Sequence, residues 1–223
     1  MAQPIYYKAT RATDPAVDFH TGQVVYRVGK TARPLPHDGT PSICGPGYLH
    51  ASDTPSETLV GGTWPCRLFE VTGKVHAGFD SYHAHKGGFK QLRVVREIDP
   101  YLALGPNGRY VAGIIERTRK VTYDEATQLR AAWGAAWDAA RGAAWGAAWD
   151  AAWGAARGAA RGAAWGAARD AARDAARGAA LALLTRDLIT PKQFDRLYGP
   201  WAKVIASDPN AMMGLAPEWN GID

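Results

Sequence analysis

Residues 131–180 read AAWGAAWDAARGAAWGAAWDAAWGAARGAARGAAWGAARDAARDAARGAA, twelve tetrapeptides of the form Ala-Ala-[Trp/Arg]-[Gly/Asp] closed by Ala179-Ala180. The third position is Trp at Trp133, Trp137, Trp145, Trp149, Trp153 and Trp165, and Arg in the other six. Self-similarity at a fixed period decides the architecture of a stretch before any local signal does. Alanine at half the positions predicts helix, and Thr122-Tyr123-Asp124-Glu125 just upstream has the form of a capping box. Eight of the fourth positions are Gly, each costing about 1 kcal/mol relative to Ala, so such a helix needs packing partners.

Four residues advance about 400° on an α-helix, so the Trp/Arg stripe drifts about 40° per repeat and winds right-handedly. Five of the six Trp fall in the first six repeats, which therefore present a broad apolar band that must be buried. Asp138 with Arg141, Asp170 with Arg173, and Asp174 with Arg177 are i,i+3 pairs that favour helix. An unbroken helix from about 123 to 186 would span about 95 Å. Small residues at every fourth position permit close helix approach, and the Arg and Asp content excludes a bilayer as the setting. The six tryptophans are the expected binding or assembly residues, through self-association or docking. The alternative is a helix packed along its own N-terminal domain.

The flanks read differently. Residues 1–121 hold β-branched and aromatic runs bounded by Gly, Pro or Asp, at Gly22–Val28, Cys66–Val71, Leu92–Ile98 and Tyr110–Val121, and these are expected as strands. Thr54-Pro55-Ser56-Glu57 predicts one short helix near 55–60. Residues 181–189 end the long helix with an apolar face. Thr190-Pro191 is an N-cap and first-turn proline that opens a short helix, with Gly199-Pro200 expected to interrupt it. The fold class is therefore α+β: a small strand-rich domain over 1–121, a long repeat helix over 122–187, and a short helix with a turn-rich tail over 188–223.

The chain is 223 residues, 47% hydrophobic and 21% charged with a formal net charge of +5, which excludes wholesale disorder. All of that excess lies in residues 1–121, which carry 15 Lys/Arg against 10 Asp/Glu, with runs at Lys90, Arg93, Arg96 and at Arg117, Arg119, Lys120. Basic runs can bind phosphate, yet they are more often solvated faces. No nucleic-acid-binding motif accompanies them, so nucleic acid is not the expected partner. No window is long and apolar enough for a membrane span, and the start lacks a signal-peptide core, so no membrane role or secretion is expected. Two cysteines, Cys44 and Cys66, make no disulfide framework and point to a reducing compartment.

The polar residues that could carry chemistry in the N-terminal domain are Cys44, His50, Ser52, Asp53, Glu57, Cys66, Glu70, His83 and His85. A Cys with a His could form a nucleophile and base, but Cys44 and His50 are separated by a Gly-Pro-Gly turn. Zinc ligands are present without the CxxC or HxxxH spacing that marks a site, so no metal and no cofactor is expected. The order His50, Glu70, Glu116 has a loose likeness to ADP-ribosyltransferase-like folds, which makes His50 and Glu70 the catalytic candidates if the domain is a small nucleotide-directed enzyme. Gly105-Pro-Asn-Gly108 is read as a turn and lacks a phosphate-loop pattern.

Tyr26-Arg-Val-Gly-Lys30, Cys44-Gly-Pro-Gly-Tyr-Leu-His-Ala-Ser52 and Cys66-Arg-Leu-Phe-Glu-Val-Thr-Gly73 together resemble an uncharacterised domain family of bacteriophages and their actinobacterial hosts. Its signature is a Cys, a Gly, then His-Ala-[Ser/Cys], commonly followed by an Ala-rich tail of tetrads. Pro46 and Leu49 lengthen the stretch between Cys44 and His50 relative to that pattern. The resemblance implies a phage-type protein, in the host cytoplasm or with the virion, and a head-plus-rod architecture without an assigned chemistry. The expectation is a structural or interaction protein whose repeat helix drives self-association or docking while the head binds a partner. The alternative is a small enzyme or host-directed effector with the helix as a multimerisation stalk.

Overall fold

The computed structural model describes residues 3–43, 45–140, 170–186 and 189–205. They fall into two compact units, one running through Ala103 and one starting at Leu104.

The first unit is built on strands β1 (Ile5–Arg11), β2 (Ala16–Val17), β3 (Val25–Tyr26), β4 (Thr31–Ala32), β5 (Leu49–Ser52), β6 (Cys66–Thr72), β7 (Val75–Gly78), β8 (Lys86–Phe89) and β9 (Leu92–Ile98). Seven of them form one curled sheet in the order β4-β9-β6-β1-β5-β8-β7, and β2 and β3 make a separate hairpin. Every pairing is antiparallel. The longest ladder joins β1 to β6, from Ile5 opposite Thr72 to Arg11 opposite Cys66. Successive side chains on a strand point to opposite faces, and in β6 both faces are dry: Leu68, Phe69 and Val71 are all fully buried. One core gathers Phe69, Val71, Phe89, Leu92 and Val94 under Tyr26 and Val24 of the hairpin region.

The sequence runs at 66–71 and 92–98 are strands as expected. Of the run at 22–28 only Val25–Tyr26 pairs. The turn at Pro55–Leu59 is a 3-10 helix, and Thr54 makes no side-chain cap there.

The second unit is helical: α1 (Gly108–Arg119), α2 (Tyr123–Ala140), α3 (Asp170–Leu184) and α4 (Pro191–Val204). The stretch expected as a strand at Tyr110–Val121 is therefore a helix over most of its length. The apolar positions Val111, Ile114 and Ile115 recur at helical spacing with Thr118, all four are buried, and that period outweighs the β-branched composition. Thr122 and Glu125 form the expected reciprocal cap of α2, Thr122 N–H donating to Glu125 Oε2 at 2.9 Å and Glu125 N–H to Thr122 Oγ1 at 3.2 Å. Thr190 with Gln193 makes the same box on α4. Gly199-Pro200 does not interrupt that helix, which runs on to Val204; the burial of Tyr198, Pro200 and Trp201 offsets the lost backbone bond.

Helix α3 packs against α1, α2 and α4. Ala175, Ala176, Ala179, Ala180, Ala182 and Leu183 of the repeat's end are buried in that packing. In one straight helix, Trp133 and Gly178 would stand about 68 Å apart. Instead a Cβ placed on Gly178 would run into the Trp133 ring and come within 3.0 Å of the Leu197 carbonyl oxygen. The two ends of the repeat therefore belong to the same bundle, and the described tetrads do not form a single extended rod.

Candidate functional site

Glu70 stands on β6, directly opposite Tyr7 on one side and Arg96 on the other. It is buried, and Arg96 holds it in a two-pronged pair, Nε to Oε2 at 2.7 Å and Nη2 to Oε1 at 2.6 Å. A carboxylate so engaged is held as an anion, with one lone pair of each oxygen taken by the guanidinium. His50 lies on β5, with β1 between it and β6. Two strand spacings put the strands of His50 and Glu70 about 10 Å apart. The structure thus does not bring the two catalytic candidates together.

His50 is itself unusual. Its ring bonds the Ser42 backbone, and its Nε2 is buried without a partner. Burial, then the positive charges of Lys86 and Lys8, push its pKa down to about 4. The imidazole is therefore neutral at physiological pH, an acceptor rather than an acid.

The remaining polar candidates scatter. Cys66 is buried and its thiol is pushed up to about 12 by desolvation, which makes it inert. Cys44 lies outside the described residues. His85 Nδ1 is 2.9 Å from Asp53 Oδ1, but both side chains are about half exposed, a surface pair. Ser52, one residue before Asp53, makes no hydrogen bond to either. Asp80 accepts from the backbone of Tyr82 and His83, which holds its carboxyl below the usual range and orders the 80–83 turn. Among the described residues no three His, Cys, Asp or Glu side chains converge to hold a metal ion.

The basic runs are largely spoken for. Lys90 sits 4.6 Å from the centre of the Tyr48 ring and donates to the Gly47 carbonyl. Arg96 is committed to Glu70, Arg117 pairs with Glu125, and Arg119 with Glu116. A depression of about 360 Å³ is lined by Ala16, Tyr26, Arg27, Arg67, Arg96 and Glu97. Its most buried ion pair is internal: Arg67 grips Glu97 through Nε at 2.8 Å and Nη2 at 2.6 Å.

Sequence patterning missed β1, the middle strand of the sheet, and with it Lys8. That lysine's ammonium lies 5.5 Å from the centre of the Tyr26 ring. Asp18, likewise unremarked in the sequence, accepts from Thr21 N–H (2.6 Å), Thr21 Oγ1 (2.7 Å), Val24 N–H (2.9 Å) and Gln23 N–H (3.2 Å). Burial alone would raise its pKa, but these bonds outweigh that and hold the carboxyl below its ordinary value. An Asx-type turn is the only local signal that could have marked Asp18.

Of the six tryptophans expected to mediate assembly, Trp133 is half-buried against Gly178. The side chains of Trp137, Trp145, Trp149, Trp153 and Trp165 lie outside the described residues. No described helix is long and apolar enough to cross a membrane. No protein-family model, curated protein or solved structure matches the chain.

Proposed function

We propose that this is a phage-type structural or interaction protein, in which the tetrapeptide repeat supplies helix-helix contacts for self-association or docking and the sheet unit binds a partner. The phage-type origin rests on the sequence resemblance alone. The observation that supports the interaction reading is the seat of Trp133 on Gly178. A Trp from the first tetrad meets the Gly of the twelfth, so the repeat carries both halves of a helix-helix contact, a bulky ring and a notch to receive it. Each Trp tetrad repeats the ring and each Gly tetrad the notch, so the same chemistry is available to a second copy or to a partner helix.

Light scattering on the full chain tests this, alongside the variant Trp145→Ala/Trp149→Ala/Trp153→Ala. A defined oligomer for the parent and a lower mass for the triple variant are expected. A parent that is monomeric at all concentrations, with solubility and mass unchanged by the triple substitution, overturns self-association. In that case a screen for a docking partner must lose its signal in the triple variant if the proposal is to stand.

A further inference from the structure

Strand β9 lies between β6 and β4, and β4 stops early. On its inner side β9 pairs with β6 as far as Ile98, opposite Leu68. On its outer side β4 reaches only Leu92 and Arg93, and a last pair of main-chain bonds ties Val94 to Gly29 and Lys30. Val95 is the extra residue of a bulge, since Val71 faces Val94 and the next rung, Glu70, faces Arg96. From Arg96 to Ile98 the outer edge has no strand beside it among the described residues. The depression of about 360 Å³ lies against this stretch, lined by Arg96 and Glu97, by Arg27 and Val28 of the turn that leads into β4, and by Asp14 and Pro15. Residues paired across strands share a face, so Arg96 turns its guanidinium to Glu70 on the face opposite to Glu97. The Glu97 carboxylate is gripped by Arg67. What β9 has left to offer the depression is main chain and side-chain stems. Asp14 lies 3.8 Å from Arg67. Arg27 is exposed and has no ion pair and no side-chain hydrogen bond among the described residues. Val28 and Val95, 53% and 42% exposed, stand at the same edge.

We propose that this open edge of β9 takes an extended, acidic peptide segment of another protein as an added strand, with Arg27 as its charge partner. The site rests on the reading that the sheet unit binds a partner, and gives that partner a place and a chemistry. An unpaired strand edge presents N–H and C=O groups that another extended chain can complete. Edges are ordinarily blunted, and the sheet's other edge is: β7 is four residues long, bulged between Val75 and Ala77, and ends on a glycine. The β9 edge carries no proline and no lysine from Val95 to Ile98, and two exposed valines flank it instead. Apolar side chains of the segment cover Val28 and Val95, and an acidic one meets the charge of Arg27, which the lining leaves unanswered.

The test titrates the full chain with the end-blocked peptide Ser-Val-Glu-Val-Ser and follows the backbone amides by NMR. Saturable shifts centred on Arg96, Glu97 and Ile98 are expected. N-methylation of the peptide's main chain should abolish them, and Lys in place of its Glu should weaken binding by about tenfold or more. Arg27→Glu should reverse that preference, so that the Lys peptide binds the variant better, and Lys120→Glu should leave it unchanged. No saturable shift at residues 96–98, or a preference unmoved by Arg27→Glu, overturns the proposal. Should Arg27→Glu misfold, the two peptide controls decide, since they need no variant: equal binding of all three peptides overturns the site. Shifts confined to another part of the sheet unit overturn this site and leave the unit as partner-binding, whereas no shift anywhere in the unit counts against both readings. Concentration-dependent shifts at 96–98 without peptide put a second copy on the edge and overturn the foreign segment.

Discussion

Trp133 and Gly178 are 45 positions apart in the chain and in contact in the fold, the ring of one lying where the other would carry a Cβ. A glycine that costs helix stability everywhere else is required at this position by its neighbour. Gly178→Ala gains about 1 kcal/mol of helix propensity and forces overpacking worth about 1–3 kcal/mol. A net loss of about 1 kcal/mol is expected in urea unfolding. Trp133→Ala should remove the conflict, so the double variant is more stable than the sum of the singles by about 2 kcal/mol. Strict additivity would show that the two residues do not meet.

Asp18 organises the turn that carries Val24 into the core. Asp18→Ala strands the buried Val24 N–H, takes an acceptor from three further donors and should cost about 2 kcal/mol. Because the folded carboxyl titrates below its unfolded value near 3.9, its contribution is complete above that pH and is lost as pH falls through the lower, folded value. Asp18→Asn should flatten this acid limb of the stability curve, and an unchanged limb would assign it to another group.

His50 works in the same proton sense at higher pH. Its pKa is about 4 in the folded chain and about 6.5 unfolded, so the unfolded state takes up the proton first as pH drops. Stability is unaffected above 6.5, declines between 6.5 and 4, and levels off below. His50→Phe should remove that decline, and NMR titration of the parent should place the imidazole midpoint near 4. A midpoint near 6.5 would mean that the ring is solvated.

The Arg67–Glu97 pair is the structural anchor beneath the small depression. The Glu97 side chain is only 5% exposed, so Arg67→Met leaves an uncompensated carboxylate and should cost about 2 kcal/mol. Adding Glu97→Gln should recover a good part of the loss. If the double variant is no better than the single, the cost lies in the Arg67 contact with the Phe69 ring instead.

Strands at Cys66 and Leu92 and the caps at Thr122 and Thr190 were legible because each has a local signal: alternation, or an acceptor three residues before its partner. Residues 110–121 were misread because Tyr, Val and Ile suit a strand by composition, while their spacing suits a helix. Strand β1 has no such signal. Its sequence IYYKATR places a lysine where a core residue is expected, and only the register against β6 shows that Lys8 is central. The pairing of Trp133 with Gly178 was hidden for another reason. Twelve near-identical tetrads cannot reveal which one faces which, since that is set by the return of the chain and not by local chemistry.

Strand β1 joins two halves of the sheet, β4-β9-β6 on one side and β5-β8-β7 on the other, and every rung of its β6 ladder bridges 55 to 67 residues. During synthesis, at 5–20 residues per second, β1 waits roughly 3–12 s before β6 exists to receive it. Contacts of such long range are slow to form even in the finished chain. The pair β6–β9 and the piece β5-β8-β7 can assemble from pairings of shorter range, but neither can find the other without residues 5–11. The part of the sheet that is translated first is therefore the part that closes it last.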